Sequence, residues 1–180
     1  MTGLVTAIGE LSRSQLVLRV LILLGPVVAV LAAGPAGQWP PWWFAVPVLV
    51  LAGGFAALPD SPIGAGVMLA VILWWAAALD DGLHPAVLVT AAALLVTHVA
   101  AVLASYGPGE MPVDPALAWV WVRRGALLLV GVPLVWGLAL ALRGEPEQPG
   151  IWVVGVAAGL VVTVAAAVVL TARQPGEGES

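Results

Sequence analysis

The stretch PAVLVTAAALLVTHVAAVLASY, residues 85–106, holds no carboxylate, lysine or arginine. As a helix rising 1.5 Å per residue it reaches about 33 Å, enough to cross ~30 Å of hydrocarbon. Five more apolar runs flank it, near residues 16–33, 41–58, 63–79, 117–142 and 151–172, and the turns between them are short. Charge survives almost only in those turns. With 62% hydrophobic and 9% charged residues and a mean hydropathy of +1.08, the chain lies far outside soluble composition, where about a quarter of residues are charged. The pattern predicts an all-α, polytopic integral membrane protein with six transmembrane helices and both termini cytoplasmic. Its parts are an N-terminal segment 1–15, a six-helix domain 16–172 and a disordered cytoplasmic tail 173–180.

The runs 41–58 and 63–79 sit at the short limit for a span. They read as thin-membrane spans or as a re-entrant pair hinged at Pro59-Asp60-Ser61-Pro62. Arg13 and Arg19 precede a run ending Ala32-Ala33-Gly34-Pro35-Ala36, which loosely fits a cleavable signal. The run is long for a signal core and five others follow, so a retained first span is expected.

All six positive charges are arginine. With the N-terminus inside, Arg13, Arg19, Arg123, Arg124 and Arg173 are cytoplasmic and only Arg143 is outside, as the positive-inside rule requires for short loops. Trp39, Trp42, Trp43, Trp74, Trp75, Trp136 and Trp152 fall near outer ends of spans, and Trp119 and Trp121 near an inner end. Indole favours the headgroup boundary, so these residues read as anchors or as the rim of an outward groove. Asp60-Ser61-Pro62 and Asp114-Pro115 read as helix starts, with a capping side chain before a first-turn proline. The second predicts an interfacial stretch 115–124 leading into the fifth span. Pro26, Pro47 and Pro133 sit inside spans one, two and five and are expected to kink them, with no gating role assigned.

Small residues repeat every four positions at Gly155, Gly159, Thr163 and Ala167 on span six, and at Gly25, Ala29 and Ala33 on span one. Such spacing lets backbones approach closely, which drives association where lipid removes the hydrophobic force. The span-six stripe is a candidate helix-packing seam, internal or toward a membrane-protein partner. An echo between Arg19, Pro26, Gly34-Pro35, Trp39 and Arg124, Pro133, Gly144-Glu145-Pro146, Trp152 is too soft to define a repeat.

Composition excludes several functions. Cysteine is absent, which removes disulfides and thiolate metal sites. The net charge of −4, with no basic cluster beyond Arg123-Arg124, excludes nucleic acid as a partner. The codon bias behind this Ala, Val, Leu, Gly, Pro and Arg usage suggests a high-GC bacterium, hence a bacterial plasma membrane.

Few residues are available for chemistry. His98 lies deep in span four, with Ser105 on its face and Thr163 at similar depth on span six. An intramembrane histidine suggests a proton relay or ligand contact; the plainer alternative is a neutral imidazole bonded across a helix seam. No carboxylate is expected at its depth. Asp80, Asp81 and His84 crowd the outer turn between spans three and four. They suggest a divalent-cation site or merely a solvated turn. Glu110, Asp114, Glu145, Glu147, Glu177 and Glu179 sit in loops or the tail. No GxGxxG, P-loop, GxSxG, HExxH or CxxC pattern occurs, so no cofactor, resident metal or catalytic residue is expected.

The stretch Thr97-His98-Val99-Ala100-Ala101-Val102-Leu103-Ala104-Ser105-Tyr106-Gly107-Pro108, then Asp114-Pro115 and Trp119 to Arg124, resembles small multi-pass membrane proteins of actinobacteria, often encoded near MoxR-type ATPases. The resemblance covers residues 97–124 and lends no activity, cofactor or catalytic residue. It implies an accessory membrane component working with other proteins. The sequence therefore favours a non-enzymatic accessory or scaffold subunit of a membrane complex. The alternative is a small transporter or substrate-binding module with a pocket near His98, lined by Thr90, Thr97 and Thr163. A third reading is an outer-face lipid-modifying enzyme using Asp80, Asp81 and His84.

Overall fold

Ser12 starts the first helix. In the computed structural model its hydroxyl accepts from the Gln15 N–H at 3.3 Å, capping α1 (Arg13–Leu31). A 3-10 turn, Gly34–Ala36, follows; then come α2 (Trp42–Ala57), α3 (Ile63–Ala78), α4 (Ala86–Ser105) and α5 (Pro115–Ala141). The structure describes residues 11–78 and 83–144, with Gly150, Val153, residues 155–157, Leu160, Val161, Val164 and Val168 beyond them. Every element among the described residues is helical. Residues 1–141 form one unit and 142–180 a second. In the second, Gly144 and Gly150 adopt φ of 94° and 84°, and the described residues from Val153 to Val168 are helical.

Within the first unit α1 is central, packed against α2, α3 and α4; α3 also lies on α2, and α5 on α4. Successive helices alternate in direction. At one end the Ser12 N–H donates to the Gly109 carbonyl at 2.9 Å and its hydroxyl to the Met111 carbonyl at 3.1 Å, while the Val113 N–H donates to Ser14 Oγ at 3.0 Å. The start of α1 is thus stitched to the α4–α5 connection. Arg13, Arg19, Arg123 and Arg124 all lie toward this end of their helices.

At the other end, one carbonyl joins three helices. The Ala33 N–H turns to the Val30 carbonyl as α1 closes, which frees Ala29 O. Trp75 Nε1 donates to it at 2.9 Å and the Thr90 hydroxyl at 3.0 Å. Trp75 is therefore a buried strut, a correction to its expected place in an aromatic belt. Trp39, Trp42 and Trp43 are exposed as expected. Trp74 stacks on Phe44 at 4.6 Å and meets Trp43 edge-on at 6.3 Å.

The small-residue stripe of α1 is buried. Gly25, Ala29 and Ala33 all face the interior. A Cβ at Gly25 would collide with the Thr97 hydroxyl and come within 3.0 Å of the Ala93 carbonyl, so α1 and α4 meet backbone to backbone. Of the span-six stripe only Gly155 is described; Gly159, Thr163 and Ala167 lie outside the described residues.

Among the described residues, three helices are long and apolar enough to cross a membrane: Arg13–Ala36 with its 3-10 turn, Ala86–Ser105 and Pro115–Ala141. The helices α2 and α3, of 16 residues each, extend only about 24 Å. The unbroken α5 has 27 residues and extends about 40 Å, more than ~30 Å of hydrocarbon requires. Its start matches the Asp114-Pro115 signal, since Asp114 Oδ1 accepts from the Ala116 N–H at 2.9 Å. The other expected cap differs. The Ser61 hydroxyl donates backwards to the Leu58 carbonyl at 2.7 Å, so it closes the end of α2 and caps nothing on α3.

Candidate functional site

A cleft of mixed polar and apolar lining involves His98. The helix α2 stops at Ala57, and residues of the turn 58–62 share this cleft with residues of the last two turns of α4. Its volume is about 390 Å³. Asp60, Ser61, His98 and Ser105 line it together with apolar Phe55, Ala65, Met68, Ala101 and Val102. His98 and Ser105, seven residues apart, share a helical face as expected.

The cleft brings Asp60, a carboxylate of the turn between α2 and α3, together with His98. His98 and Asp60 are both exposed in the cleft, and among the described residues neither forms a hydrogen bond or ion pair. The two hydroxyls are already donors. Ser61 donates to the Leu58 carbonyl at 2.7 Å and Ser105 to the Val102 carbonyl at 2.8 Å. Their free lone pairs, with the Asp60 carboxylate, make the cleft rich in acceptors and poor in donors.

Several other polar side chains of the bundle are engaged by backbone, whereas Trp74 Nε1 and Arg19 Nε are buried without a partner among the described residues. Arg19 Nη1 donates to the Ala56 and Ala57 carbonyls at 2.6 and 2.7 Å. The guanidinium thereby satisfies the open C-terminal carbonyls of α2 and places positive charge at the negative end of its dipole. Gln15 is buried and donates through Nε2 to the Ala104 carbonyl at 3.4 Å, while its Oε1 is buried without a partner. The Thr97 hydroxyl donates to the Ala93 carbonyl at 2.8 Å within α4. Thr90 and Thr97 therefore serve packing and do not line the cleft at His98.

Of the expected outer cluster, only His84 is described; Asp80 and Asp81 lie outside the described residues. His84 Nδ1 accepts from the Ala86 N–H at 3.2 Å, which turns the imidazole into a cap on the first turn of α4. No group of three or more metal-ligating side chains occurs among the described residues. Thr163, expected level with His98, is also outside them.

Asp60 and Ser61 were read only as punctuation in the sequence. The available signal was the length difference between runs 41–58 and 63–79 and their neighbour 85–106. Arg19 was read only as an orientation mark; its position inside the apolar run was the sign of a buried carbonyl partner. No protein-family model, curated protein or solved structure matches the chain.

Proposed function

We propose that the chain is a six-span protein of a bacterial plasma membrane, with both termini cytoplasmic, acting as a non-enzymatic accessory or scaffold subunit of a membrane complex. One observation carries this reading: the interior polar side chains Gln15, Arg19, Trp75, Thr90 and Thr97 are all directed at backbone carbonyls. Groups held this way fix helices against one another and leave little for acid–base or nucleophilic work. The long α5 adds support, since none of its residues is buried and Leu127, Leu128, Val130, Leu134, Val135 and Leu138 are exposed along it. Lipid or a partner helix suits such a surface. The likeness of residues 97–124 to actinobacterial multi-pass proteins accords with an accessory role.

The test is affinity purification of the full chain in mild detergent. A reproducible co-purifying membrane protein is the expected result, and a chain that purifies alone as a strict monomer overturns the scaffold reading. A second reading, a substrate-binding membrane module, is favoured by the cleft at His98. Unchanged ligand binding or transport in His98→Ala would remove it.

A further inference from the structure

We infer that the Asp60–His98 cleft binds a primary ammonium group carried on an amphiphile, as in the ethanolamine headgroup of a phospholipid. The inference deepens the substrate-binding reading and rests on it.

The chemistry of the lining selects the ligand. Three acceptor-bearing residues line one cleft: Asp60 with its carboxylate, and Ser61 and Ser105, whose hydroxyl protons are committed to the Leu58 and Val102 carbonyls. An –NH₃⁺ group offers three donors and one positive charge, matching this set. Asp60 has no ion pair among the described residues, and Arg19, the cation near the same end of the bundle, is held by Ala56 and Ala57. A carboxylate beside an apolar wall gains most from a cation that also brings N–H donors.

A metal ion fits the same acceptors less well. A hard cation such as calcium takes six to eight oxygen ligands, usually several of them carboxylates, and this cleft supplies one carboxylate. A quaternary ammonium carries the charge without any N–H, so it would leave the acceptors unsatisfied. His98 is the one group here able to donate, which suits a phosphate next to the ammonium. Phe55, Ala65, Met68, Ala101 and Val102 then border the start of an acyl chain. The volume of about 390 Å³ is within the usual range for a small-ligand site.

The experiment titrates full-length protein in detergent with dihexanoyl-phosphatidylethanolamine, dihexanoyl-phosphatidylcholine and ethanolamine, reading binding by calorimetry. The ethanolamine lipid is expected to bind at least about tenfold more tightly than the choline lipid, the scale of a lost charge-assisted hydrogen bond. Asp60→Asn should weaken the ethanolamine lipid by a similar factor and the choline lipid less, since both carry the charge but only one brings N–H donors, and His98→Phe, which removes the donor, should weaken both lipids. Asp60 and His98 are exposed, and equal melting temperatures of the variants verify the fold. Equal binding of the two lipids, or wild-type ethanolamine-lipid binding in Asp60→Asn, overturns the inference. Free ethanolamine binding as tightly as the lipid supports the ammonium site and assigns a soluble source; weaker binding supports it and assigns the lipid. Because the measurement is made in detergent, it is independent of topology and of any protein partner. Binding without transport would sink only a transport role, whereas no binding would sink this site.

Discussion

The Thr97 hydroxyl occupies the space that any side chain at Gly25 would need. This contact sets the spacing of α1 and α4, the pair around which the first unit is built, and it cannot relax easily because the Ala93 carbonyl is the next atom in the way. Gly25→Ala should lower stability by about 1–3 kcal/mol, as overpacked interiors do. Gly25→Ala/Thr97→Ala should recover part of the loss, since it removes the hydroxyl but not the backbone carbonyl. Thermal unfolding in detergent measures both, and full recovery or none would contradict the geometry.

Ala29 O accepts from both Trp75 and Thr90. Removing either donor leaves the other, so Trp75→Phe and Thr90→Val should each lose only about 0.6 kcal/mol of hydrogen bonding, the average found between membrane helices. The indole and threonine replacements also alter packing slightly. Removing both strands a buried carbonyl, which costs about 1–3 kcal/mol. A double-mutant cycle in bicelles should therefore show a loss greater than the sum, and simple additivity would refute a shared acceptor.

Arg19 should matter more for its shape than for its charge. Arg19→Met leaves the part-buried Ala56 carbonyl without its donor, while the exposed Ala57 carbonyl can turn to water, and is expected to destabilise by about 1 kcal/mol. Arg19→Lys keeps the charge at the α2 C-terminus but lacks the planar fork that reaches two carbonyls, so it should retain only part of the stability. Melting temperatures in detergent distinguish the three proteins, and an Arg19→Met variant as stable as wild type would show that the capping is inconsequential.

The absence of cysteine makes the proposed orientation directly testable. Gln38→Cys should react with a membrane-impermeant maleimide on intact spheroplasts, and Glu110→Cys only after lysis. Both positions are exposed. The reverse pattern, or labelling of both on intact cells, would overturn the assignment of inside and outside.

Helix identity was legible from hydropathy, and the reasons for the discrepancies are local. Hydropathy placed the first span at 16–33 because Arg13, Ser14 and Gln15 are polar; the helix nevertheless starts at Arg13, where Ser12 and Gln15 form the S-x-x-Q pattern of a cap. Trp75 looked like an interfacial anchor, yet a freed carbonyl on α1 recruits it into the interior. That carbonyl belongs to another helix and leaves no mark near residue 75. The meeting of Asp60 with His98 in one cleft was hidden for a similar reason: it depends on how the turn between α2 and α3 packs beside α4, a relation between segments. His98 was found as a lone ionisable group, but its surroundings were not. The stripe Gly25, Ala29, Ala33 was readable because four-residue spacing puts small side chains on one face whatever lies opposite.

The brevity of α2 and α3 has a mechanical side. In the proposed membrane setting, α2 and α3, about 6 Å shorter than the hydrocarbon, would make the lipid beside them compress. Such elastic strain lies along one flank only. It is relieved when that flank meets a thinner patch of bilayer or a neighbour with a similar shortfall, giving the membrane itself a part in choosing where this protein gathers.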